Sequence, residues 1–251
     1  KFVKGANKDI LENLKKRHLL VKLKTITHTY PFCWRCESPL LYYAITSWFI
    51  STEEMRSKMV KLNKQINWSP NHIKEGRFGK WLEGAKDWNL SRQKFWGTPL
   101  PIWKCNCGKE KIIGSIEELR KNSTKSFKDY DLHRPWIDKI KIKCKCGKEM
   151  NRIPDLIDVW YDSGSAPFAQ FHYPFENKEE FERRFPYDFI SEGIDQTRGW
   201  FYTMHAISTI LFDKPAYKNV ICAGLILDKD GEKMSKSKGN IIDPEKITKE
   251  V

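Results

Sequence analysis

The sequence predicts an α/β fold built on a parallel sheet, with a cysteine-bounded insertion set into it. Two observations carry this. Phe185 to Glu192 reads as a strand, about Asp195 to Leu211 as a helix, and Asn219 to Leu227 as a nearly continuous apolar strand. Strand, helix, strand in that order is the crossover between parallel neighbours. Upstream, Lys104-Cys-Asn-Cys-Gly-Lys-Glu110 recurs as Lys143-Cys-Lys-Cys-Gly-Lys-Glu149 and brackets a separate, Lys-rich segment.

The elements follow in chain order. Ala6 to Leu20 forms one apolar face from Ile10, Leu11 and Leu14, the spacing of a helix. Tyr42 to Ile50 is an aromatic and β-branched run, which predicts a strand. Glu53 to Lys64 and His72 to Leu82 read as helices. Trp88 to Trp96 leads into the turn-rich Gly97-Thr98-Pro99-Leu100-Pro101. The insertion from Cys105 to Cys146 has no long periodic element. Asp243 as N-cap and Pro244 in the first turn start a last helix. That late start, and an opening without Met, give the look of a segment cut from a longer protein.

The chain has 251 residues, 40% apolar and 13% aromatic, which suits a folded chain rather than a disordered one. Its 45 Lys+Arg exceed 32 Asp+Glu, a net charge of +13. Such a balance fits a polyanionic partner such as RNA, or simply a soluble basic protein. No apolar run approaches the roughly 20 residues of a membrane span, and no signal peptide opens the chain.

Six of the seven cysteines fall in close pairs: Cys33 with Cys36, Cys105 with Cys107, and Cys144 with Cys146. An odd total without a signal peptide favours thiolates in a reducing cytosol over a disulfide framework. Cys105, Cys107, Cys144 and Cys146 offer four thiolates from two glycine-containing knuckles, a closed structural zinc site. The alternative is a pair of free-thiol turns. Cys33 and Cys36 have ligand spacing without a second pair nearby. They either await ligands from elsewhere or form a turn with two reduced cysteines. Cys222, inside an apolar strand, reads as core.

Gly231 to Asn240 carries the chemistry. It sets Lys233, Met234, Ser235, Lys236 and Ser237, with Lys238, in a Gly- and Ser-rich loop after a buried strand. Ammonium groups, hydroxyls and backbone N–H groups suit phosphates. The G-x4-G-K-[ST] spacing of a P-loop is absent.

The string Lys-Met-Ser-Lys-Ser resembles the signature loop of the class I aminoacyl-tRNA synthetases. Trp88 to Pro101 is similar to the segment that returns to the catalytic fold in their isoleucine, valine and leucine branches. Asp158-Val-Trp-Tyr-Asp-Ser-Gly164 and Glu192-Gly-Ile-Asp-Gln-Thr-Arg-Gly-Trp-Phe201 resemble the isoleucine branch in particular. The resemblance runs from about Asn7 to Val251. It implies the second half of a Rossmann-like catalytic domain, with residues 1–45 the exit from an editing insertion. Residues 46–100 and 159–251 would be catalytic core, and 101–158 the zinc-bearing insertion.

The resemblance also implies roles. Trp160 and Trp200 would wall the isoleucine pocket. Glu192, Gly193, Asp195 and Gln196, with Gly224 and Leu225, would contact ATP and the adenylate, together with Met234, Ser235 and Ser237. The residue type at Asp195 also fits a plain helix N-cap. Lys233 and Lys236 would hold the triphosphate, with Mg2+ on the phosphates. The partners implied are L-isoleucine, ATP and tRNA(Ile), within a monomeric cytoplasmic parent. No H-x-G-H string occurs, so the resemblance implies an inactive piece of a longer enzyme. A valine-branch enzyme and a non-catalytic zinc-bearing RNA-binding module are the alternatives.

Overall fold

The computed structural model describes residues 3–33, 36–127, 131–235 and 239–250. The chain divides into two units, Lys1–Thr46 and Ser47–Val251.

In the first unit, α1 (Val3–Lys16) ends with Lys15 and Lys16, cations that complement the negative end of the helix dipole. It stops four residues before the expected Leu20 because His18 takes a left-handed conformation, φ 54°. A small hairpin follows, with Phe32 bridged antiparallel to Pro39. The strand expected from Tyr42 is absent up to Trp48: Tyr42 and Tyr43 are 92% and 75% exposed. An aromatic run becomes a strand only where a neighbour pairs with it and covers one face.

The second unit opens with β1 (Phe49–Ile50), α2 (Arg56–Asn63) and β2 (Asn67–Ser69). A π-helical turn, Lys74–Gly79, runs into α3 (Lys80–Glu83). β3 (Trp88–Asn89) and β4 (Ser91–Arg92) precede the insertion, which holds β5 (Ile102–Lys104), β6 (Glu110–Ile112), α4 (Ile116–Asn122), β7 (Ile142–Lys143) and β8 (Glu149–Arg152). β9 (Leu156–Ile157), α5 (Val159–Gly164), α6 (Ala166–Ala169) and α7 (Lys178–Arg184) lead to β10 (Tyr187–Gly193), α8 (Trp200–Phe212), β11 (Tyr217–Ala223) and α9 (Pro244–Glu250).

The main sheet has the order β10-β11-β2, with both pairings parallel. The crossover between β10 and β11 is α8, as the strand–helix–strand pattern requires. β2 is too short for its period to show in the sequence. Its Trp68 joins the core, edge-on to Phe201 at 5.7 Å and close to Phe78 at 4.7 Å. Met59, Ile66, Ile73, Leu82, Tyr217 and Val220 join this core. Full burial of each such side chain is worth about 1.5–3 kcal/mol.

The insertion has a second core of Trp103, Ile113, Leu119, Ile137, Ile142 and Met150 beneath the sheet β6-β5-β8-β7. The Trp103 indole donates to the Ile140 carbonyl at 2.8 Å. Arg152 donates to Asp138 at 2.7 Å and to the carbonyls of Leu100 and Asp155. A segment without visible periodicity therefore builds short strands and a core of its own within the second unit.

Two further expectations are corrected. The helix expected from about Asp195 is a 3-10 turn over Ile194–Arg198, and α8 starts only at Trp200. β11 ends at Ala223 rather than Leu227, because the chain turns into a hairpin there. No helix among the described residues is long and apolar enough to cross a membrane.

Candidate functional site

Glu192 and Gly193 form the C-terminal end of β10, in register with Cys222 and Ala223 of β11. Gly224 and Leu225 follow directly. Four of the expected nucleotide-binding residues thus sit at the ends of adjacent parallel strands, where such sheets bind ligands. Gly224 is exposed, with open space where a Cβ would be. A Cβ on Gly193 would come within 2.9 Å of Asp195 Oδ1, so only glycine lets that carboxylate fold back. Cys222 is buried in the main core, and burial raises its thiol.

Gln196 ties the strand end to α8. Its Oε1 accepts from the Trp200 backbone N–H at 2.8 Å. Gly199 fits between: a Cβ there would lie 2.5 Å from Gln196 Oε1 and 3.2 Å from Trp160. The Trp200 indole in turn donates to the Ser163 carbonyl at 3.0 Å. Gly164 allows α5 to press on α8, since a Cβ there would lie 2.9 Å from Ile207 and 3.0 Å from Thr203. Trp160 and Trp200, forty residues apart in the sequence, are held on two helices in contact. Trp160 remains 41% exposed, a surface free to line a pocket.

Sequence reasoning missed what holds α5. Asp158 caps it and accepts from the Trp160 backbone N–H at 3.3 Å. Trp88 Nε1 donates to Asp158 Oδ2 at 2.9 Å, and Arg92 does so at 2.6 Å. These partners lie 70 and 66 residues away in the chain, so no local pattern announces them.

Lys233, Met234 and Ser235 lie on the hairpin after β11, with Lys233 exposed and bridged to Leu227. Lys236, Ser237 and Lys238 lie outside the described residues. A cleft of about 940 Å³, lined by Leu100, Ile113, Ile157 and Phe175 among others, contains none of the expected site residues.

The four insertion cysteines converge. Cys105 and Cys146 sulfurs are 3.6 Å apart, those of Cys107 and Cys144 3.7 Å, and all four lie within 4.8 Å of one another. Zn–S bonds of about 2.3 Å in a tetrahedron place sulfurs about 3.8 Å apart. The two knuckles match bond for bond. Cys105 and Cys144 N–H groups donate to Lys109 and Lys148 carbonyls at 2.9 Å, with Gly108 and Gly147 at φ +86° and +84°. Cys146 is drawn down to about 6 by the Lys148 backbone N–H and by hydrogens from Cys144 and Cys107. Cys105 rises to about 12: its backbone bond to Cys107 lowers it, but burial and the neighbouring sulfurs outweigh that. One thiolate is favoured and a second opposed, the electrostatics of a cluster that a divalent cation would complete.

Cys33 and Cys36 sit on the first unit's hairpin, where Cys33 N–H donates to the Ser38 carbonyl at 2.8 Å. The Ser38 hydroxyl, 3.4 Å away, helps hold the Cys36 thiol below its ordinary range. Among the described residues no third His, Cys, Asp or Glu completes a metal-sized group with them.

Over residues 6–251 the chain belongs to the class I tRNA synthetases (I, L, M and V). Among these it is similar to the isoleucine–tRNA ligase of Clostridium kluyveri, 55% identical over 98% of this chain and 24% of that protein. The isoleucine–tRNA ligase of Thermus thermophilus is 53% identical over 99% of this chain and 24% of its own length. The chain therefore spans about a quarter of these relatives. The methionyl-tRNA synthetase of Mycobacterium tuberculosis, solved with methionyl-adenylate, shares the fold. Its TM-score is 0.54 at 16% identity, over 88% of this chain and 34% of that one.

Proposed function

We propose that this chain carries the second half of the ATP- and L-isoleucine-binding site of an isoleucine–tRNA ligase, and that the longer protein activates the amino acid and transfers it to tRNA(Ile) in the cytoplasm. On this reading 46–100 and 159–251 are the second half of a Rossmann-like catalytic domain, 101–158 a zinc-bearing insertion, and 1–45 the exit of an editing insertion. The observation that carries it is the bond from Trp200 N–H to Gln196 Oε1. That bond fastens the tryptophan wall to the turn at the end of β10.

The isoleucine carboxylate oxygen attacks the α-phosphorus of ATP. An O–P bond forms, the bond to the β-phosphate oxygen breaks, and pyrophosphate leaves. No protein nucleophile is needed, so the residues act by positioning and by charge. Asp195 and the glycine-flanked turn are suited to ribose hydroxyls and close backbone approach. Lys233 and Lys236 neutralise charge on the phosphates, which also carry Mg2+. The indoles of Trp160 and Trp200 give a branched aliphatic side chain a rigid wall.

The test is adenylate formation before the steady state in the longer protein. Lys236→Ala should slow the step about 10²–10³-fold, the worth of one preorganised donor, and Lys238→Ala far less. Equal, small effects would reduce the loop lysines to solvated charges.

A further inference from the structure

After β11 the chain forms a hairpin before it reaches the lysine-rich stretch. Asp228 N–H donates to the Glu232 carbonyl at 2.8 Å and Met234 N–H to the Ile226 carbonyl at 3.3 Å. Gly231 closes the turn with its N–H on the Asp228 carbonyl at 3.0 Å and φ +78°, the left-handed position such hairpins give to glycine. Asp228 Oδ1 accepts from the backbone N–H groups of Asp230 at 3.0 Å and Glu232 at 2.8 Å. A turn-forming aspartate does that much in any hairpin.

The second carboxylate oxygen does something else. Asp228 Oδ2 accepts from Asn240 Nδ2 at 2.6 Å, across 12 residues of chain. Asn240 Oδ1 accepts from the Ser235 N–H at 2.9 Å, and its Nδ2 also reaches the Lys233 carbonyl at 3.3 Å. One amide side chain thus joins the turn, the backbone at Lys233 and Ser235, and the far flank of the lysine stretch. The Asn240 amide, then the Glu232 and Asp230 N–H groups, hold the Asp228 carboxyl below its ordinary range. It is ionised at neutral pH, and a bond to an ionised acceptor is among the stronger kinds.

We propose that Asp228 and Asn240 are positioning residues for amino-acid activation, a latch that fixes both flanks of the lysine stretch before ATP binds. The inference rests on the reading of that loop as phosphate-binding. Ordering a free loop costs conformational entropy at every residue. With the backbone at Lys233 and Ser235 already held by Asn240, the Lys233 ammonium meets the developing charge at lower entropic cost.

A reciprocal exchange separates the latch from the turn. Asp228→Asn keeps an oxygen for the two turn N–H groups but sets an NH2 against the NH2 of Asn240. Asn240→Asp sets carboxylate against carboxylate. Making both changes restores one donor facing one acceptor and leaves an oxygen for the Ser235 N–H. In the longer protein, each single change should lower kcat of isoleucine-dependent ATP–pyrophosphate exchange about tenfold, with KM for isoleucine held within about twofold. The exchanged pair should recover to within about threefold of the parent, as the coupling of one charged hydrogen bond requires. Trypsin cleavage at the loop lysines gives a readout that needs no activity: both single variants should be cut faster than the parent, and the exchanged pair should not. Single variants within twofold of the parent rate, or an exchanged pair as slow as the slower single variant, would overturn the latch. A parent without isoleucine-dependent exchange would instead refute the functional reading, and equal trypsin rates in all four proteins would then refute the latch by itself.

Discussion

The side-chain oxygen of Gln196 lies 2.8 Å from the backbone nitrogen of Trp200 and takes its hydrogen. Gln196, proposed to contact the adenylate, therefore fixes the first turn of the helix that carries Trp200, proposed as one wall of the amino-acid pocket. The helix begins at Trp200 because the side chain supplies the acceptor that a preceding turn would otherwise give.

That coupling makes Trp200 a test of selectivity. Trp200→Ala in the longer protein should weaken isoleucine by about 1–3 kcal/mol, the worth of a contact in an apolar pocket, and ATP much less. Equilibrium binding of each ligand separates the two. An unchanged isoleucine affinity would make Trp200 plain core.

The cysteine cluster should hold one structural zinc. Elemental analysis of reduced, metal-replete protein should show one zinc equivalent fewer in a Cys105→Ser, Cys144→Ser variant than in the parent. Chelation should loosen the insertion, whose core includes Cys105 and Cys144, and leave the β10-β11-β2 sheet folded. Equal zinc in variant and parent would contradict the assignment.

His205 predicts a pH dependence of stability. It is fully buried on α8, with Nε2 donating to the Met59 carbonyl at 2.9 Å and Nδ1 without a hydrogen-bond partner among the described residues. Burial draws its pKa down to about 4, although the Met59 bond opposes this. An unfolded histidine titrates near 6.5. Between about 6.5 and 4 the unfolded chain takes up a proton that the folded chain refuses, so stability falls as pH falls through that window. The loss approaches about 2–3 kcal/mol near pH 4. Urea unfolding at pH 7 and pH 4.5 should show a smaller drop in His205→Gln than in the parent. The same drop in both would assign the effect to other groups.

The sequence was most informative where structure is local and repeated. The strands around α8 announced themselves by apolar runs, and the cysteine knuckles by repetition. The strand β2 did not, because three residues cannot display a period of two. The small sheet of the insertion stayed hidden for the same reason. Trp88 and Arg92 escaped notice as the holders of Asp158 because their bonds span 70 and 66 residues. The stop of β11 at Ala223 was masked by Ile226 and Leu227, which continue the apolar run into a hairpin. Asp228 and Asn240 stand 12 residues apart, and only their shared bond sets them apart from ordinary turn residues.

The most direct test of the whole account is ATP–pyrophosphate exchange by the longer protein, run side by side with isoleucine and valine. One apolar pocket discriminates between substrates that differ by one methylene by about 10–200-fold in kcat/KM. The account predicts exchange that depends on isoleucine with a preference in that range. Preference for valine, or no amino-acid-dependent exchange at all, would contradict it.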